Sequence, residues 1–179
     1  MPNLSFSIDE RGGTGGRTTV LRIRDDVRGI GDFIRELILE AAHEGELTAK
    51  ILAPENKTDP FRNRGHTIAD SIRVSERAYR PGGLGGGGSY EVELIADGRI
   101  APHLEYVFGG TGHHVGKGNI KPTRGNVLVF KKQGEGYKMR FEVKGQAPQQ
   151  EWWERATETM EEHIRTKVRS AGLGEAIRK

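Results

Sequence analysis

The chain has 179 residues, with 28 Lys and Arg against 25 Asp and Glu for a formal charge of +3, a length that suits one domain burying roughly two thirds of its unfolded surface. The absence of cysteine excludes a disulfide framework, a thiolate nucleophile and a zinc–cysteine site, and no run approaches the ~20 apolar residues of a membrane span. The 26 glycines, roughly twice the ordinary share, cluster at 12–16, 82–88 and 109–118, which predicts long loops on an ordered body.

The N-terminus, MPNLSFSIDERGG, lacks a basic n-region and an apolar h-region, so no export signal is expected and the chain reads as soluble and intracellular. Leu4, Phe6 and Ile8 alternate as in a half-buried strand, and Thr18–Arg24 offers Leu21 and Ile23 on one face. A hairpin with a loose glycine connection is predicted. Asp25 and Asp26 then supply a capping carboxylate for a helix whose inner stripe is Ile30, Phe33, Ile34, Leu37, Ile38, Ala41 and Ala42. Gly45 offers one end to it; Leu47 and Ile51 offer a continuation to Ala53-Pro54, where proline stops the helix.

Residues 55–65 read as a polar loop carrying Arg62 and Arg64. Strands are predicted at Ser71–Tyr79 and Tyr90–Ala96, joined through a glycine tract expected to be mobile in the free protein. A short helix over Ala101–Phe108 opens into a second glycine- and cation-rich loop, followed by a hairpin of Asn126–Lys131 and Tyr137–Lys144. The last segment is the clearest helix. Pro148 suits its first position, Trp153, Ala156, Met160, Ile164 and Val168 form its inner stripe, and acidic residues early with basic residues late complement the dipole.

The predicted fold is α+β: an antiparallel sheet of about four to six strands, packed by one long helix in the N-terminal half and one long C-terminal helix. The expected organisation is a single domain over 1–179, with a hairpin-like extension at 1–24, an α+β core at 25–172 and a tail at 173–179.

No motif nominates an active site. Gly116-Lys117 lacks the earlier glycine and the following Ser or Thr of a phosphate loop, and Gly83-Leu84-Gly85-Gly86-Gly87-Gly88, which matches the dinucleotide fingerprint in form, joins strand to strand, the wrong setting for it. His113-His114 has no carboxylate at ligand spacing beside it. No cofactor, metal or catalytic residue is therefore expected.

Charge is more informative. Residues 109–141 hold seven cations against Glu135 alone, whereas residues 1–108 carry 14 basic and 17 acidic groups. Such a stretch suits contact with phosphates or with an acidic protein surface, or is simply a solvated strand face. The candidate interface residues are Arg62, Arg64, His113, His114, Lys117, Lys121, Arg124, Lys131 and Lys132. Trp152 joins them, since it lies about 100° around the last helix from Trp153 and is expected to be half exposed, either an anchor for a partner or a cap on the sheet's edge.

A further pattern lies in the order of short segments. A helix ending at Ala53-Pro54 is followed by Ala69-Asp70-Ser71-Ile72-Arg73-Val74, then by Tyr106-Val107-Phe108-Gly109-Gly110-Thr111-Gly112, Ile120-Lys121-Pro122 and the strand Asn126–Phe130. Val143-Lys144-Gly145-Gln146-Ala147-Pro148 then leads into the terminal helix. Over roughly residues 27–171 this order resembles the neck, or head–tail joining, proteins of long-tailed bacteriophages, also labelled minor tail or phage morphogenesis proteins. The chain departs from that pattern at Glu105-Tyr106, in its long glycine tract and in residues 1–24.

The resemblance implies a structural, non-enzymatic virion component with no cofactor. Copies would form a homo-oligomeric ring at the neck, between head-closure or portal-side connector proteins and the tail terminator or tail tube, with genomic DNA passing through the lumen and no membrane involved. A tail terminator or tail completion protein of the same assembly is the neighbouring alternative, and a nucleic-acid-binding module using residues 113–140 is the other.

Overall fold

The computed structural model describes residues 4–13, 16–25, 31–54, 67–80, 88–123, 125–132, 136–171 and 175–177. The chain divides into two compact units. Unit 1 comprises residues 1–104 and 151–179, and unit 2 comprises residues 105–150.

Unit 1 is built on a sheet in the order β3-β4-β2-β1-β7. Strands β1 (Leu4–Gly13), β2 (Gly16–Asp25), β3 (Ile72–Arg80) and β4 (Gly88–Ala96) pair antiparallel, and β7 (Glu175–Ile177) adds parallel to β1. The α+β class and the antiparallel sheet are as predicted.

Three boundaries are corrected. The β1–β2 pairing runs to Gly13↔Gly16, so most of the first glycine cluster lies in the strands and not in a loose connection. Residues 1–24 are no extension either: β2 sits at the centre of the sheet between β1 and β4, with Val20, Leu21 and Ile23 buried. Part of the supposed tail is the edge strand β7.

Alternation and register sort the sheet into two faces. Phe6 stands opposite Ile23, Ile23 opposite Tyr90, Leu21 opposite Val92, and Thr19 opposite Leu94, which in turn faces Val74. This apolar face receives the helices. α1 (Gly31–Leu52) buries Ile34, Leu37, Ile38, Ala41, Ala42 and Ala49, and Arg35 reaches Glu76 on β3 through Nε at 2.8 Å. α3 (Glu151–Ser170) buries Trp152, Trp153, Ala156, Met160, Ile164 and Val168. It runs antiparallel to α1, because Gly45 lies against Met160 and Ala156 while Glu40 meets His163 and Lys167 further along.

Gly45 does not end α1. A Cβ there would lie 2.6 Å from Met160 Sδ and 3.3 Å from the Ala156 carbonyl, so glycine permits the close helix crossing. The helix instead continues to Leu52, leaving Leu47 and Ile51 exposed. Of its two predicted capping residues, Asp25 closes β2 and Asp26 lies outside the described residues, as do 55–66 and 82–87.

The opposite sheet face is laced with charge. Arg22 bridges Asp9 at 2.6 Å and Glu91 at 2.7 Å, while Arg77, set at a bulge in β3, pairs with the buried Glu93 at 2.7 Å. Among the described residues no helix is long and apolar enough to cross a membrane.

Candidate assembly interface

Unit 2 is held by two segments more than thirty residues apart. After α2 (Leu104–Gly109), the run Gly110-Thr111-Gly112 lies along residues 144–148. Thr111 N–H donates to the Gln146 carbonyl at 2.8 Å, and Gln146 N–H donates back to Thr111 Oγ1 at 2.9 Å. Gly145 has φ +90°, and a Cβ on it would collide with the Thr111 carbonyl; Gly112, at φ +62°, would meet the Lys144 carbonyl at 2.6 Å. A side chain is therefore excluded at Gly112 and at Gly145, for steric and for backbone reasons. Pro148 belongs to it too. Its ring lies against Gly110, and α3 begins only at Glu151, so proline is not the first helical residue as predicted.

The glycine- and cation-rich loop is folded rather than open. Residues Gly112–Val115 form a 3-10 turn, and Ile120 and Val143 exchange backbone hydrogen bonds of 2.7 and 3.0 Å. Asn119 donates to Glu142 at 3.1 Å, and Lys121 lies 3.9 Å from the same carboxylate. Beyond this stands a two-stranded hairpin of β5 (Leu128–Lys132) and β6 (Gly136–Arg140), as predicted.

The structure separates the candidate interface residues. Lys117 and Lys121 are exposed in the loop, and His113 and His114 sit in the 3-10 turn. Lys131 and Lys132 lie on β5. Arg62, Arg64 and Arg124 fall outside the described residues. Trp152 is corrected outright: it is 5% exposed, edge-on to Trp153 with ring centroids 5.4 Å apart, and so is a core residue rather than a surface anchor. Among the described residues no group of three His, Asp or Glu is arranged to hold a metal ion.

A different set of residues marks the surface of unit 2. Phe141 is 76% exposed and Met139 is 65% exposed, with Tyr106 and Val115 also outside. The alternation Met139-Arg140-Phe141-Glu142-Val143 looks like a strand with one buried face, and period alone would turn Met139 and Phe141 inward. Among the described residues β5 and β6 pair only with each other, and residues 139–142 are exposed throughout. An isolated two-stranded hairpin is marginal in water without something packed on its apolar side.

No protein-family model, curated protein or solved structure matches the chain.

Proposed function

We propose that this protein is a structural subunit of the phage neck, located in the virion, where copies of it form a ring that joins the DNA-filled head to the tail. In this reading the ring sits between head-closure or portal-side proteins and the tail, and DNA passes through its lumen. Its work is assembly, without a catalysed reaction or a cofactor.

The observation that carries the reading is the exposed apolar pair Met139, on β6, and Phe141, just after it, in a unit whose cations Lys117, Lys121 and Arg140 are exposed as well. Apolar anchors rimmed by charge are the anatomy of a protein–protein contact. A strongly basic lumen would hold DNA through its phosphates, so the cations are assigned chiefly to acidic neighbours. The clasp supports the same reading. It joins two of the several segments whose order carries the family resemblance, giving them a shared structural role.

The test is self-association of the purified protein by sedimentation velocity and negative-stain imaging across a wide concentration range. Rings are expected for the parent protein, and M139E/F141E should abolish them while leaving the monomer folded. Rings that persist unchanged in that variant would remove the hairpin from the interface.

A further inference from the structure

The charged face of the unit 1 sheet ends in a groove of about 440 Å³, bounded by the β1–β2 hairpin, β3, and the turn after β4. Four guanidinium groups line it: Arg11, Arg73, Arg77 and Arg99. Two are fixed in place, Arg77 by Glu93 at 2.7 Å and Arg73 by Asp97 at 3.2 Å. The Asp97 carboxylate also accepts the Arg99 backbone N–H at 2.9 Å, which sets the turn that presents the Arg99 side chain. Among the described residues Arg11 and Arg99 have no ion-pair partner, so the groove carries a surplus of two positive charges.

The same unit carries a complementary surface. Glu151, Glu154, Glu158 and Glu162 recur at three- and four-residue steps along α3 and are all exposed, opposite the stripe that α3 buries. Arg155 pairs with Glu158 and Arg165 with Glu161, which leaves Glu151, Glu154 and Glu162 without a counter-ion among the described residues.

We infer that the arginine groove of one copy receives the acidic ridge of α3 from the next copy. The inference rests on the ring reading above and names a contact within it. Groove and ridge are different patches, so the contact is head-to-tail, the kind that closes into a ring when the rotation permits. Guanidinium forks match carboxylates in shape and charge, and this sheet face already pairs Arg22 with Glu91 and Arg77 with Glu93. The buried Glu93 and the half-buried Asp97 in the groove wall disfavour the alternative occupant, a continuous run of nucleic-acid phosphates, but they tolerate a few carboxylates held at helical spacing.

The experiment is a charge swap read by sedimentation velocity at low and high salt. It uses only residues without ion-pair partners, so the internal pairs stay intact, and circular dichroism melting checks each fold. R11E/R99E alone and E154R/E162R alone should each weaken self-association on the order of tenfold or more, because like charges then face each other. Mixing the two variants should restore assembly, since each reversed groove then meets a reversed ridge, and all four substitutions in one chain should restore it without mixing.

If the parent protein assembles and both reversals leave it unchanged, the groove–ridge contact is overturned and the ring reading survives. A parent protein that stays monomeric at every concentration overturns both. If R11E/R99E leaves assembly intact but abolishes salt-sensitive binding of a 20-base-pair DNA duplex, the groove is a phosphate site and the inference fails.

Discussion

Trp153 Nε1 donates a 3.0 Å hydrogen bond to Thr19 Oγ1, and both residues are fully buried. The bond ties α3, near the C-terminus, to the central strand β2, near the N-terminus, across the apolar core. A buried indole N–H that loses its acceptor costs about 1–3 kcal/mol. Thr19→Val, which keeps the shape and removes the acceptor, should lower unfolding stability by that amount in urea titration. In Trp153→Phe the same threonine change should cost less, and the difference is the coupling energy of the pair.

Gly45 should resist substitution despite its helical position. Alanine in a helix interior is normally better than glycine by ~1 kcal/mol. Here the added methyl would meet Met160, so Gly45→Ala should instead be destabilising by roughly 1–3 kcal/mol. The penalty should shrink in a Met160→Ala background, where the obstructing side chain is gone. A thermal-melt double-mutant cycle measures this.

In unit 2 the clasp predicts a contrast between two glycines with positive φ. Gly145→Ala brings both backbone strain and a collision with the Thr111 carbonyl, whereas Gly116→Ala, at φ +74°, meets nothing nearby. Gly116→Ala should cost about 1–2 kcal/mol from backbone alone. Gly145→Ala should cost clearly more and open the 110–112 and 144–148 segments to hydrogen exchange. Equal exchange in the two variants would refute the clasp.

Acid should weaken unit 1 through carboxylates that bridge its elements. The hydrogen bond from Arg35 holds the Glu76 carboxyl below its ordinary range, and hydrogen bonds from Lys167 and then His163 do the same for Glu40. A carboxyl whose folded value is depressed contributes stability at pH above its unfolded value and loses that contribution as pH falls through the folded value. The melting temperature should therefore fall as pH drops from neutral past about 4, the ordinary carboxylate range. Because both carboxylates are partly exposed, the effect should be modest and should fade in high salt. Glu76→Gln should flatten part of the pH dependence.

What could be read from the sequence was local. The stripe from Trp153 to Val168 marked a buried face correctly, because it depends on spacing within one element. Trp152 was misplaced because α3 meets both α1 and the sheet, through Met160 and through Trp153, so its buried arc is wider than one stripe. The central place of β2 was not visible, since its pairing with β4 crosses more than sixty residues and leaves no local trace. The arginine groove was hidden for the same reason. Arg11, Arg73, Arg77 and Arg99 are scattered along the chain, and only the sheet order gathers them. The basic stretch at 109–141 drew attention because its charges are adjacent in sequence, yet the structure spreads them over a loop and a hairpin.

The central claim, that this protein joins head to tail, is tested most directly by electron microscopy of particles from a phage in which its gene has been inactivated. The account predicts DNA-filled heads lying apart from completed tails, with joining restored when the intact protein is supplied. Intact, infectious virions formed without it would contradict the account.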